Sequence, residues 1–318
     1  MNFSLEKQAT LEKLKKCGVP VEQAEKAADV MTTADVYGVT THGTNTLNAH
    51  LDRIKRGGYN LRPDFEIQRQ TAAFAVVDGD NALGFVSADH CMQLAVEKAK
   101  EVGVFHVFSK NNNTFGPAFY YPLKAAQQGM IGILFSNSPA QMPPYGGKEK
   151  LLGTNPFSAV IPVPGQDPII IDMAMSVVAK SKFKEYKLAG KELPDGWAMD
   201  EDGTPTNDPD AGIRGLILPM GGYKGYCLAM LVDLLAGVVS GAAYLNKVGR
   251  FYSEEGTGMN VGFCCIAIDP YAVIGEEYDS RICDFVETIR ASDTIPGEEI
   301  SIPGDRKHRA KRKNDGEQ

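Results

Sequence analysis

A helical lobe followed by an α/β lobe is the architecture the sequence predicts, and three observations carry it. The chain has 318 residues, more than one hydrophobic core usually holds, so two lobes are expected. Over roughly the first 70 residues, apolar side chains recur only at helical spacing. From Ala72 the pattern changes to short apolar runs alternating with helical segments, as in a sheet flanked by helices. The expected division is 1–70, helical and joined by later segments including the C-terminal part, and 71–318, α/β with interleaved segments.

In chain order, Ser4 to Cys17 reads as an amphipathic helix with Ser4 as N-cap and Gly18 as stop, and Val21 to Tyr37 as a second, ended by Gly38. Thr44 to Lys55, with Leu47, Leu51 and Ile54 on one face, forms a third. Between the last two lies Thr40-Thr41-His42-Gly43. That places His42 at or just before a helix start, where unpaired backbone donors lower an imidazole's pKa and let it exchange protons near neutrality. A purely structural histidine is the alternative.

The segment AAFAVVDGD from Ala72 reads as a strand and turn, Ser87 to Glu101 as a helix, Val104 to Ser109 as a strand, Pro117 to Gln128 as a helix and Ile131 to Ser136 as a strand. The strand ends run into polar loops, SKNNNTFG and SNSPAQMPPYGG, where α/β lobes usually present ligand groups. Two more apolar strands lie in GTNPFSAVIPV and PIIIDMAMS, with Asp172 at a strand end and Ser176 opening a helix of roughly Val177 to Leu188. A carboxylate there can orient a histidine, hold a ribose, or serve as an ordinary helix-start acid. A long polar loop with the single tryptophan, Trp197, follows and is expected to be functional or mobile.

Leu216 to Ala243 combines a short apolar run, a glycine turn, Lys224 and a long apolar segment. Leu228, Leu231, Leu235 and Val238, with Val232, Ala236 and Val239 beside them, predict a helix buried on most sides. Gly221, Gly222 and Gly225 let backbone N–H groups approach a ligand, and Lys224 sets a cation at a helix N-terminus, where phosphate is favoured. Beyond it, VGFCCIAIDP reads as a strand, Glu277 to Arg290 as a helix, and EEISIPGD as a last short strand with a turn. The run from Arg306 to Lys313 is so densely basic that it is expected to stay solvated.

With 33 basic against 40 acidic residues and a formal charge of −7, a general nucleic-acid binder is disfavoured and small ligands are expected. The six cysteines include no C-x-x-C pair, which suits reduced thiols in a reducing cytoplasm and gives no metal site. The N-terminus lacks the apolar stretch of a signal peptide, and the run from Leu228 is broken by Asp233 and glycines, so no membrane span is expected. GTGMNVG at Gly256 is the nearest approach to a dinucleotide fingerprint, but its third glycine comes one place late and it precedes a strand. Walker, H-E-x-x-H and G-x-S-x-G motifs are absent, which removes support for phosphate-loop, zinc-hydrolase and serine-esterase chemistry.

Taken together, ADVYGVTTHG (34–43), SKNNNTFG, MPPYGGKEKLLGTNP, IIIDMAMS, GWAMDEDGTPTNDP, ILPMGGYKGY, VGFCCIAIDP and IPGD (302–305) give a chain that resembles the type-2 malate/L-lactate dehydrogenases. That family includes ureidoglycolate and sulfolactate dehydrogenases, diketogulonate reductase and piperideine-2-carboxylate reductase. The resemblance implies a non-Rossmann NAD(P)-binding lobe with a mixed or antiparallel sheet plus a helical lobe, and a homodimer. It implies NAD or NADP, with NAD favoured, and a small 2-hydroxy/2-oxo acid substrate, nominally malate or lactate. His42 is similar to the family's proton donor to the substrate carbonyl. Ser138, Asp172, Met173, Ala174, Ser176, Lys224, Gly225, Pro303, Gly304 and Asp305 look like cofactor contacts.

Two positions depart from the family pattern. Thr46 stands where an arginine usually grips the substrate carboxylate, and Thr114 where the loop usually has histidine. The basic tail also ends sooner than the pattern suggests, as a truncated or variant end would. A nucleotide-binding relative with lost or altered activity is the alternative reading, and a nucleic-acid role for the tail is a third. Arg53, seven residues after Thr46 on the same helix, is a substitute cation or simply a solvated residue.

Overall fold

The computed structural model describes residues 2–253 and 256–315. The chain opens with α1 (Phe3–Lys16) and α2 (Val21–Val36). Asn2, not Ser4, caps α1: it has extended backbone angles, and its side chain accepts from the Leu5 N–H at 3.2 Å. The third helix does not begin at Thr44. Two single 3₁₀ turns, Thr40–His42 and Thr44–Thr46, precede α3 (Leu47–Lys55), because the Thr44 N–H and hydroxyl are both taken by Asp35.

Then come β1 (Glu66–Gln70), β2 (Phe74–Asp78), α4 (Gly84–Val102), β3 (Val104–Asn112), α5 (Tyr120–Ala126), β4 (Ile131–Ser136), β5 (Ala140–Met142), β6 (Leu152–Gly153), β7 (Phe157–Ile161) and β8 (Ile169–Met173). The chain continues through α6 (Ser181–Leu188), β9 (Ala198–Met199), β10 (Pro205–Thr206), α7 (Pro209–Arg214), β11 (Leu216–Ile217) and α8 (Tyr223–Asp233). It closes with β12 (Val261–Ile268), α9 (Pro270–Ile274), α10 (Glu277–Arg290) and α11 (Asp305–Asp315). Strand β1 has no sequence counterpart because every residue in EIQRQ is exposed and no alternation marks it. Helix α6 starts later than expected, since Val177 donates to the Leu218 carbonyl and Ser176 bridges to Pro219.

A seven-stranded sheet in the order β1-β2-β3-β12-β4-β7-β8 forms the centre, parallel only between β2 and β3. The mixed sheet expected from the family resemblance is therefore present. Central β12 has period-2 alternation buried on both faces. Phe263, Cys265 and Ala267 join the core with α4 and the N-terminal helices, whereas Cys264 joins the core under α8. The cysteines are free thiols. The long polar loop, expected to be functional or mobile, folds into a small sheet, β10-β9-β11, with Trp197 edge-on to Tyr186 at 5.3 Å.

Three expectations fail on α8 and the tail. Only one side of the central helix is buried. Val232 and Ala236 pack inward, but Leu228, Leu231 and Val238 are 43%, 50% and 49% exposed, and residues Leu234–Val239 widen into a π-helix. EEISIPGD forms no strand; it contributes a single ladder bond, Ile170 N–H to the Pro303 carbonyl at 2.8 Å. The basic tail is solvated on one side only, with Arg306, Arg309, Arg312 and Lys313 exposed. It is α11, held by buried His308, whose Nε2–H donates to the Pro168 carbonyl (2.8 Å), and by Asn314 donating to the Asp35 and Val36 carbonyls. Among the described residues, no helix is long and apolar enough to cross a membrane.

Candidate active site

The turn that carries His42 is fastened from below. Asp35, near the end of α2, accepts from the Thr44 N–H at 2.8 Å and lies 2.7 Å from the Thr44 hydroxyl, which also reaches Glu6 of α1 at 2.6 Å. Burial raises the Asp35 pKa, the Thr44 bonds oppose the rise, and the Glu6 charge adds to it. Gly43 is required between them, because a Cβ there would sit 1.8 Å from Asp35 Oδ1. His42 Nδ1 rests 3.0 Å from the Thr41 hydroxyl, leaving Nε2 to exchange a proton.

Solvent reaches the His42 ring, yet protein packs around it densely enough that desolvation holds its pKa below 6.5, with the Asp172 charge pulling the other way. The direction matches the sequence expectation but the cause differs. His42 ends a three-residue 3₁₀ turn instead of starting a helix, so burial and not a helix dipole depresses it.

The ring opens on a cleft of 1420 Å³. Its walls come from the loops after β3 and β4, the end of β8, the approach to α6, the Arg250–Ser253 turn and the first residues of α11. The cleft brings together His42, Ser138, Asp172, Met173, Ala174 and Ser176, with Thr114 on the same surface. Ser138 is fixed by Asn155, whose side-chain oxygen accepts the Ser138 N–H at 3.1 Å while the Ser138 hydroxyl accepts the Asn155 N–H at 3.2 Å. Asp172 forms a half-screened ion pair with Lys307 at 3.0 Å, both side chains 14% exposed.

The remaining sequence candidates lie beside the cleft. Gly225 does not line it, but backs Met220, which does; a Cβ on Gly225 would meet the Met220 carbonyl at 2.0 Å. Met220 in turn donates to the Met175 carbonyl at 2.9 Å, so the glycine turn is braced against the Asp172–Ser176 segment. Lys224 is exposed in the first turn of α8. Pro303 and Asp305 border a separate 130 Å³ pocket. Gly304 supplies φ +110 against Ile170, and Asp305 takes a two-pronged contact from Arg290 at 2.9 and 3.1 Å that lowers its pKa.

Thr46 is turned away, its hydroxyl donating to the Gly43 carbonyl at 2.8 Å. Arg53 is neither solvated nor aimed at the cleft: it is 2% exposed and donates to the carbonyls of Phe251 (3.1 Å) and Thr257 (2.5 Å) and to the Asn113 side chain (3.3 Å). It clamps the turn that forms one wall.

Sequence reasoning missed the cleft lysines, Lys180 and Lys307 among them. Lys307 was hidden in a run read as a solvated tail. Lys180 stands in VVAKSKFKEYK, where basic density looks like an ordinary helix surface; its ammonium donates to Gln141 Oε1 at 2.9 Å. Burial, with the nearby charges of Lys150 and Lys184 added to it, brings Lys180 down to about 8. Among the described residues no His/Cys/Asp/Glu group could hold a metal ion.

Residues 2–317 match the family model described as malate/L-lactate dehydrogenase. The L-sulfolactate dehydrogenase of Methanocaldococcus jannaschii is 40% identical over 310 residues, covering 97% of this chain and 89% of that protein. The malate dehydrogenase of Pyrococcus horikoshii is 38% identical over 302 residues, covering 92% and 83%. The solved structure of the M. jannaschii sulfolactate dehydrogenase superposes with a TM-score of 0.93 at 39% identity, covering 98% of this chain and 90% of that one.

Proposed function

The chain belongs to the malate/L-lactate dehydrogenase family, and on that premise we propose that His42 is the acid–base group of a 2-hydroxy acid dehydrogenase whose nicotinamide cofactor lies in the 1420 Å³ cleft. The class of reaction follows from the family: the protein is an oxidoreductase of hydroxy acids. A cleft of this size exceeds the ~300–1,000 Å³ that a drug-sized ligand needs, leaving room for a dinucleotide and a small acid together. Its donors also fit: lysines 180 and 307 for phosphate charge, Ser138 for a neutral polar edge, and the Met173 and Met220 side chains for ring faces.

The cofactor, when bound, supplies or takes the hydride at the substrate carbon. The chain's own residues manage the proton. In reduction, Nε2 of protonated His42 gives its proton to the oxygen as charge develops there; in oxidation, neutral Nε2 accepts it. The Thr41 hydroxyl can accept from Nδ1–H or donate to bare Nδ1, so both ring states keep a partner. Asp172, through its charge, favours the protonated ring, and Lys307 fixes that carboxylate in place.

The observation carrying this reading is that His42 and the Asp172–Ser176 segment share one cleft and that Asp172 acts electrostatically on the ring. Titration with NADH and NADPH, followed by turnover across 2-oxo acids that include oxaloacetate, pyruvate and sulfopyruvate, tests it. Cofactor binding with no turnover of any of them would favour the second reading, a relative with altered activity, which Thr114 on the cleft wall and the turned-away Thr46 support. A homodimer in the cytoplasm completes the proposal, and the exposed apolar face of α8 supplies a surface that a second copy would cover.

A further inference from the structure

Along the cleft wall approaching α6, several lysines stand close together and most are already partnered. Lys182 is neutralised by Glu185, one turn on, and Lys187 by Asp210. Lys150 donates to the Arg214 carbonyl at 2.5 Å. Lys180 is different: its ammonium is partly buried, it lines the cleft, and its one side-chain partner is the neutral amide of Gln141. Among the described residues it has no carboxylate within ion-pair distance. A cation taken partly out of water without a counter-charge is costly and is stabilised by an anion placed beside it.

We propose that Lys180, with Lys150 and Lys184 beside it, forms a phosphomonoester subsite that takes the 2′-phosphate of the cofactor, so that this protein prefers NADP(H) to NAD(H). The inference rests on the dehydrogenase reading above and deepens it.

Three features favour a phosphomonoester over the other anions available. Lys180 sits on the wall before α6 with its ammonium on Gln141 of β5, whereas His42 sits on the 3₁₀ turn before α3 against the Thr41 hydroxyl; the lysine and the acid–base group are carried by different walls of the cleft, and a substrate carboxylate must lie next to His42. A pyrophosphate bridge is usually cradled by backbone N–H groups at a helix start, while a terminal dianion is met by side-chain cations. Finally, recognition of a bare ribose diol calls for an uncommitted carboxylate, and the acid on this wall, Glu185, is already paired with Lys182. Burial and, after it, repulsion from Lys150 and Lys184 bring the Lys180 pKa to about 8, and a dianion set beside the ammonium group offsets both.

The test is calorimetric titration of the full chain with NADPH, NADH, 2′,5′-ADP and 5′-AMP, for wild type, Lys180→Gln and Lys180→Arg. Wild type is expected to bind NADPH more tightly than NADH and 2′,5′-ADP more tightly than 5′-AMP. Lys180→Gln should weaken the two 2′-phosphorylated ligands by about tenfold, the size of one charge-assisted contact, and leave the other two within about twofold; Lys180→Arg should restore most of the loss. Equal weakening of NADPH and NADH would place the pyrophosphate there and overturn the assignment. So would unchanged NADPH binding accompanied by a raised KM for the 2-oxo acid, which would move the substrate's acid group to Lys180. Wild type that binds NADH well and NADPH no better rejects this inference alone, whereas failure to bind either dinucleotide rejects the dehydrogenase reading with it. Matching thermal melts of the three proteins separate these results from misfolding.

Discussion

At His42, burial and Asp172 act in opposite directions on one proton. Reduction requires the protonated ring, so its rate should fall as pH rises through a value below 6.5, while oxidation, which requires the neutral ring, should fall as pH drops through the same range. Asp172→Asn removes the charge that opposes burial, so both limbs should move to lower pH in kcat–pH profiles; limbs that stay put would detach Asp172 from the ring. His42→Ala should lower turnover by about 10²- to 10⁴-fold with dinucleotide affinity nearly unchanged, as stopped-flow binding and steady-state rates would report. If Thr114 is what limits turnover, Thr114→His should raise kcat on 2-oxo acids, and an unchanged kcat would clear that position. His42 was legible in the sequence because a lone T-T-H-G between two helical patterns stands out. The source of its pKa was not legible, since burial of the ring and the approach of Asp172 are set by tertiary packing.

Among the elements, α11 was the least readable. Its sequence, DRKHRAKRKND, has no apolar stripe, and it docks by polar contacts: Asn314 on two carbonyls of α2, His308 on Pro168 and Arg312 on Asp167. Hydrophobic periodicity cannot register such an interface. Deleting residues from Arg306 onward should therefore cost stability as well as cofactor binding, on the order of 2 kcal/mol or ~4 °C in Tm, because it leaves buried carbonyls of α2 without donors and Asp172 without Lys307. Calorimetry showing an unchanged Tm would return the segment to a dispensable tail. Helix α8 misled in the opposite way: its composition announces a core helix, but one-sidedness depends on what the other side meets, which no single sequence states.

For the whole molecule, length and the switch from helical to strand periodicity were enough to anticipate a helical lobe and an α/β lobe, and the mixed sheet came from the family resemblance, whereas the strand order, with late β12 between early β3 and β4, follows from tertiary pairing that local patterns do not encode. Acid stability is a property of the assembled fold. His50, His90 and His106 are all held below 6.5 by burial, His50 to about 3 and His106 to about 4. A depressed folded pKa means that below 6.5 the unfolded chain takes up protons that the folded one refuses, so stability is fully present above 6.5 and is lost as pH falls toward 4. At pH 5 the fully buried His50 alone should cost about 2 kcal/mol. Urea midpoints that do not drop between pH 7 and pH 5 would contradict this. At the same scale, Leu231→Asp on the exposed face of α8 should turn a dimer into a monomer by sedimentation; a monomeric wild type would leave that face to another partner.

The bonds from Asn314 to the Asp35 and Val36 carbonyls join residues 279 and 278 positions apart, and Lys307 completes the cleft at Asp172. The cleft wall at Asp172 is therefore completed only once Lys307 has been made and α11 has docked, and the last turn of α2 waits until then for these donors; arresting synthesis before and after Lys307 would time that closure.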